Sequence, residues 1–112
     1  MGIIAKETFI GRRAEGDAFE IHVEIGVPYP WHGSDDEWAC PVKIDPLYPN
    51  LRDIHGGSSL QALCLALRLT KSLLDDFVEK GGKLIYGSVA DDGIPELSSN
   101  VDLNATFGTT KQ

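Results

Sequence analysis

The sequence is short of cysteine, of positive charge and of long apolar runs, and each shortage excludes a class of protein. Two cysteines, Cys40 and Cys64, among 112 residues are too few for the disulfide framework of a small secreted domain. The longest apolar stretch, 60–69, contains Arg68 and is far shorter than the roughly 20 residues of a transmembrane helix. The start of the chain has no signal-peptide pattern. We therefore predict a cytoplasmic protein that does not bind membranes.

The scarcity of positive charge also restricts the partners. The chain has 17 acidic residues against 10 basic ones, for a formal net charge of −7. A surface this negative repels nucleic-acid phosphates and anionic lipids, so we expect neither as a ligand. It favours a basic protein as partner, although acidity also serves solubility alone.

The length is that of one domain, 1–112, whose last residues, 108–112, we expect to be flexible. Residues 18–27 alternate between apolar and polar side chains, which predicts a strand with one wet face. A weaker pattern at 3–12 precedes it, and the short turn between them favours a hairpin. Residues 38–44 predict a third strand, in which Pro41 marks an edge position or a bulge. Residues 28–37 and 45–57 predict loops.

A long helix follows. Ser58 or Ser59 can cap it, and Gly81-Gly82 stop it after about Lys80. Between 60 and 69 it is apolar nearly all round, so we expect burial on more than one side, within the chain or at a subunit interface. Strands at 83–89 and 100–107 complete the pattern. The predicted fold is α+β: an antiparallel sheet of four to five strands packed on one long central helix, in the order β-β-β-α-β-β.

The stretch HGGSS (55–59) admits three interpretations. No lysine follows the glycines, as a phosphate loop would require. No separate G-x-S-x-G motif accompanies it, as a lipase-like oxyanion loop would require. A capped helix start is the favoured interpretation, and an anion site at Gly57, Ser58 and Ser59 remains open because helix N-termini attract anions. Gln61, in the first turn, is predicted to be buried and to bond the backbone of the preceding loop.

Catalytic and metal chemistry find no support in the spacing of the reactive residues. The three histidines and two cysteines include no pair at a metal-ligand spacing. Cys40 could act as a nucleophile with His55 as its base. However, both cysteines sit among apolar residues, where a thiol is buried and inert. We predict no catalytic residue, no metal and no cofactor.

The loop YPWHGSDDEW (29–38) is more informative. Aromatic anchors beside carboxylates are common in protein interfaces. We place Trp38 in the core and leave Trp31 open between the sheet edge and an interface. The candidate contacts with a partner are the acids on the wet face of the second strand and the loop residues: Glu20, Glu24, Trp31, Asp35, Asp36 and Glu37.

The segments WACPVKI (38–44) and GGSSLQALCLAL (56–67) together resemble a small uncharacterised bacterial family. Its members carry a Trp-x-Cys strand and a Gly-x-Asp-Ser-x-Gln-Ala-Leu helix start. Ser58 stands where that family has aspartate, and both residues cap helices. In charge and size the chain also resembles bacterial immunity proteins, which neutralise basic toxins that attack nucleic acid. The alternatives are a homodimeric housekeeping domain, joined through the apolar helix or an edge strand, and a small-ligand or anion-binding protein.

Overall fold

The computed structural model describes residues 2–89 and 95–108. Within them, eight strands, two α-helices and one 3-10 turn at Trp31–Gly33 follow one another along the chain. The strands are β1 (Ile3–Arg12), β2 (Ala18–Gly26), β3 (Tyr29–Pro30), β4 (Trp38–Cys40), β5 (Val42–Asp45), β6 (Ile54–Gly56), β7 (Lys83–Val89) and β8 (Pro95–Asn100). The helices are α1 (Ser59–Glu79) and α2 (Leu103–Phe107). No helix of the described residues is long and apolar enough to cross a membrane.

The strands form two sheets. The main sheet has the order β5-β2-β1-β7-β8, and the small sheet has the order β3-β4-β6. The pairs β1/β7, β2/β5 and β7/β8 of the main sheet are antiparallel, as are both pairs of the small sheet. The predicted α+β class, with an antiparallel sheet and one principal helix, is confirmed. The small sheet was not foreseen.

The chain divides into two compact units. The first comprises Met1–Glu7 and His22–Thr70, and the second comprises Thr8–Ile21 and Lys71–Gln112. The first unit buries, among others, Val23, Ile25, Ala39, Cys40, Val42, Ile44, Ala62 and Ala66. The second buries Phe9, Ile10, Ile21, Leu74, Phe77, Leu84 and Leu103. The assignment of 1–112 to a single domain stays a prediction. Of the segment 108–112, expected to be flexible, only Gly108 is among the described residues.

The predicted strand at 38–44 is two strands. Pro41 separates β4, in the small sheet, from β5, at the edge of the main sheet. Proline has no N–H to donate to a ladder, so the pairing is interrupted there and the chain changes sheets. The Pro41 carbonyl still accepts a hydrogen bond from the Gly26 N–H at 2.9 Å. A second correction concerns Ile54–Gly56, predicted as loop, which is β6 and pairs with β4.

The predicted strand at 100–107 is also wrong, because Asp102 starts a helix there. Its carboxylate accepts hydrogen bonds from the backbone N–H groups of Asn104 and Ala105, at 3.0 and 3.2 Å. This is the geometry of a helix N-cap. Helix α2 ends at Phe107 and is followed by the cap residue Gly108, whose φ is 81°. The last strand lies earlier, at β8.

Helix α1 ends as the sequence predicts. Gly81 has a φ of 98°, its N–H donates to the Val78 carbonyl, and the Gly82 N–H donates to the Phe77 carbonyl. This pair of bonds is the Schellman motif. The chain itself leaves part of the first half of the helix uncovered. Leu60 is 68% exposed and Cys64 is exposed, so within the chain this half is not buried all round.

Candidate functional site

The small sheet brings together residues that are far apart in sequence. In its register Pro30 lies opposite Trp38, and Ala39 lies opposite His55. Trp31 follows β3 directly, and Glu37 directly precedes β4. The ends of three short strands therefore meet around Trp31, Glu37 and His55.

Glu37 and His55 are joined by a hydrogen bond on this sheet. The distance between the Glu37 Oε2 and His55 Nδ1 atoms is 2.7 Å. Both side chains are partly exposed, at 51% and 39% respectively. A carboxylate bonded to one ring nitrogen fixes the orientation of the imidazole. The pair thus holds the end of β4 against β6 in a defined geometry.

Trp31 packs against two imidazole rings. Its ring centroid lies 4.8 Å from that of His55 and 4.6 Å from that of His32, with interplanar angles of 73° and 64°. The Tyr29 ring lies 6.2 Å away. Such edge-to-face arrangements are favourable between aromatic rings. Trp31 is half-buried and its indole has few alternative positions.

The loop that follows Trp31 is closed by backbone bonds. The Trp31 N–H donates to the Glu37 carbonyl at 2.8 Å, and the Trp31 carbonyl accepts from the Ser34 N–H at 3.0 Å. His32 adopts φ 52° and ψ 30°, a left-handed conformation in which histidine is found more often than most non-glycine residues. Its turn reverses the chain, so that residues 34–37 return toward the small sheet.

The carboxylates of Asp35 and Asp36 are displayed by this loop. Both side chains are exposed, and the Asp36 N–H donates to the Ser34 hydroxyl at 3.0 Å. Among the described residues, no cation lies within ion-pair distance of either carboxylate. Their charges are therefore directed to solvent on a loop whose backbone is fixed.

The other two predicted contacts, Glu20 and Glu24, lie on β2 and are half-buried. Glu24 stands opposite Lys43 in the register between β2 and β5. A lysine in this position offsets part of the negative charge of the strand. Both acids are less exposed than the acids of the loop, and Glu24 in addition faces a lysine, so the two are less suited to a cationic partner.

A tyrosine–aspartate pair on the same unit was not predicted. The Tyr29 hydroxyl donates to the Asp53 carboxylate. This hydrogen bond, with burial and the negative charge of Asp53, raises the pKa of Tyr29 above the ordinary 10.0. The residues are 24 positions apart, and the sequence carries no signal that joins them. The bond ties the start of β3 to the segment before β6.

The helix start at HGGSS has the geometry of a cap, as predicted. The Ser58 hydroxyl accepts from the Gln61 N–H at 3.1 Å, and the Gln61 side-chain oxygen accepts from the Gly57 N–H. Serine and glutamine at this spacing resemble a capping box. Gln61 therefore bonds the preceding loop as expected, although it is exposed rather than buried. Because the Gly57 N–H already has a partner, the predicted anion site at Gly57, Ser58 and Ser59 has one donor fewer to offer.

The two cysteines differ in environment. The Cys40 thiol is buried and donates to the Gly26 carbonyl at 3.4 Å. Burial, with the nearby charge of Asp53, raises the pKa of Cys40. Cys64 is exposed, so its predicted burial is wrong: it lies on the outer face of α1, which the apolar composition alone could not reveal. In the part of the chain that the structure describes, no group of three metal-ligating side chains converges.

Comparison with known protein families identifies the chain. Residues 9–95 match the family model described as Domain of unknown function (DUF6968). The chain belongs to this family. The matched DUF6968 segment contains the whole small sheet and α1, including residues 38–67, on which the resemblance to an uncharacterised family rests. No curated protein matches the chain, and no solved structure matches it.

Proposed function

We propose that this domain has a non-enzymatic role and binds a basic protein through its acidic loop, defined as Trp31, Asp35, Asp36 and Glu37. The observation that carries the proposal is the pair of exposed carboxylates at Asp35 and Asp36, which no cation of the described residues offsets. They lie on a loop closed at both ends by backbone hydrogen bonds. A fixed loop loses little conformational entropy on binding.

Trp31 supplies an anchor for such a partner. Tryptophan is enriched among the residues that dominate binding energy. Its ring is held by His32 and His55, so part of the indole is ordered before any partner arrives. Carboxylates around a rigid aromatic ring suit a partner whose surface carries lysine or arginine, since guanidinium groups both pair with carboxylates and stack on indole rings.

The net charge of −7 extends this complementarity beyond the loop. A strongly negative protein attracts a basic partner over distances set by ionic strength, which raises the association rate. A toxin domain that attacks nucleic acid must itself be basic where it binds phosphates. We therefore propose an immunity protein as the specific role, acting in the cytoplasm against such a toxin.

The test is a pair of matched charge reversals. Asp35→Lys with Asp36→Lys changes the loop, and Glu15→Lys with Asp17→Lys changes two exposed acids of the turn between β1 and β2 by the same total charge. Both pairs leave the Glu37–His55 hydrogen bond intact. Each form is used as bait in an affinity capture from the source organism, and captured proteins are identified and produced in pure form.

We expect wild type to bind one basic protein with an association rate that falls as salt rises. We expect the loop variant to weaken the affinity at least about tenfold, and the turn variant to change it much less. Equal effects of the two variants would mean that only the net charge affects binding and that the acidic loop is not the binding site. If wild type captures no basic protein, the proposal is wrong.

A further inference from the structure

The small sheet has one face covered by helix α1 and one face accessible to solvent. A Cβ atom at Gly56 would point into the first turn of α1, against the backbone of Ala62. Trp38 lies opposite Gly56 in the register of the sheet, so both residues belong to the covered face. Because neighbouring side chains of a strand alternate between faces, Ala39 and the residues paired with it lie on the other face.

This other face, which we call the outer face, is lined by aromatic rings and carboxylates. It is formed by six residues of the three strands and their flanking positions: Tyr29, Trp31, Glu37, Ala39, Asp53 and His55. Tyr29, Ala39 and His55 make one row across the strands. The Trp31 ring centroid lies 6.2 Å from that of Tyr29 and 4.8 Å from that of His55. Ala39 is buried and the other five residues are half-buried or exposed, so a partner can reach the rings and the carboxylates.

The two carboxylates of the outer face are held in place without being neutralised by a basic side chain. Asp53 accepts a hydrogen bond from the Tyr29 hydroxyl, and Glu37 is bonded to the His55 ring at 2.7 Å. A carboxylate has about four lone-pair positions, so each keeps positions for a further donor. Among the described residues, no lysine or arginine lies within ion-pair distance of either carboxylate. The outer face therefore offers two oriented acceptors to a cation.

We propose that the basic partner of the acidic loop also covers the outer face, with one cationic side chain at Asp35 and Asp36 and a second at Asp53. This inference rests on the proposed function and extends its site. The two surfaces are continuous, because Trp31 and Glu37 belong to both. A partner held at the acidic loop therefore already lies at the edge of the outer face.

Size and charge both support this extension. A stable protein complex uses roughly 20–30 residues a side, so the partner must contact more of the domain than the acidic loop alone. Strands β3, β4 and β6 contain no lysine or arginine, so they add no permanent positive charge that would repel a cation. Trp31 and Tyr29 lie beside the carboxylates, and guanidinium groups stack on such rings while they pair with carboxylates.

A hexa-arginine peptide is the probe, and its binding to the whole chain at low salt is followed by NMR signals of the backbone amides and the Trp31 indole. Asp53→Asn removes the charge but keeps an oxygen that accepts from the Tyr29 hydroxyl. Tyr29→Phe removes the hydrogen bond but keeps the charge. The matched control is Asp45→Asn, because Asp45 is half-buried like Asp53 and lies on β5 of the main sheet. A melting curve for each variant shows that it is folded.

We expect Asp53→Asn to raise the dissociation constant of the peptide about three- to fivefold, and Asp45→Asn and Tyr29→Phe to change it less than about twofold. The inference is overturned if Asp53→Asn binds like Asp45→Asn, if Tyr29→Phe weakens binding as much as Asp53→Asn, or if wild type does not bind the peptide. In the first case, a loss of binding in Asp35→Lys with Asp36→Lys leaves the proposed function standing. The proposed function fails separately, if wild type captures no basic protein.

Discussion

At Gly56 the small sheet lies close against the first turn of helix α1, and replacement of this glycine tests that packing directly. A Cβ atom at Gly56 would lie 2.6 Å from the backbone nitrogen of Ala62 and 3.0 Å from its Cα atom. Both neighbours are backbone atoms of the first helical turn, so no side chain can rotate away. Gly56→Ala therefore forces the end of β6 and the start of α1 apart.

The change in the free energy of unfolding is the sum of two opposing contributions. Forcing one methyl group into a packed site costs about 1–3 kcal/mol. Replacing glycine by alanine also restricts the unfolded chain, which stabilises the fold by about 0.4–1 kcal/mol. The clash dominates, and we expect the free energy of unfolding to fall by about 1–2 kcal/mol. For a domain of this size that lowers the Tm by roughly 4–8 °C.

The assay is thermal and urea unfolding followed by circular dichroism, with Gly16→Ala as control. A Cβ atom at Gly16 would lie 3.7 Å from the Arg13 Cβ atom, an ordinary contact in an exposed turn. At Gly16 the substitution causes no clash and only restricts the unfolded chain. Gly16→Ala should therefore be as stable as wild type or slightly more stable. If Gly56→Ala and Gly16→Ala unfold at the same temperature, the close approach of β6 to α1 is not as described.

Two further predictions concern titratable groups. In the native protein a thiol reagent should modify Cys64 rapidly and Cys40 only after unfolding, because Cys40 is buried and its pKa is raised; equal rates for the two thiols would contradict this. The hydrogen bond to Asp53 raises the pKa of Tyr29 in the folded protein. Protonated Tyr29 therefore stabilises the fold below pH 10.0, the pKa of an ordinary tyrosine. This contribution is lost as the pH rises through the raised pKa of the folded state. Asp53→Asn should therefore lower the pH at which Tyr29 forms phenolate, measured by absorbance against a Tyr29→Phe reference, and an unchanged midpoint would refute the coupling.

Local patterns in the sequence were sufficient to predict the long strands and the long helix. The alternation of residues 18–27 is β2, and the serine cap with the glycine pair bounds α1 within one residue of its observed ends. These signals act through neighbouring residues, so they do not depend on the rest of the chain. The same local approach failed at 100–107, where an alternating pattern and an N-cap aspartate competed and the cap at Asp102 determined the structure.

Exposure was harder to predict than secondary structure. The apolar composition of 60–69 gave no means of telling which side chains face the sheet, and α1 buries Ala62 and Ala66 while it exposes Leu60 and Cys64. Small residues at four-residue spacing let a helix lie close to its neighbour. Larger side chains on the outer face then remain in solvent unless another molecule covers them.

The amino-acid composition of the loop predicts two members of the candidate site, Trp31 and Glu37, but not the third, His55. Trp31 and Glu37 stand in a short segment rich in aromatic and acidic residues, and that concentration is visible in the sequence. His55 joins them only because β4 and β6, each of three residues, pair across a loop. Strands this short have no detectable period, and their pairing is set by contacts distant in sequence. The residue that fixes Glu37 and supports the Trp31 ring is thus known only from the fold. His55→Ala should loosen the loop that carries Asp35 and Asp36, and so weaken the binding that we propose for this loop.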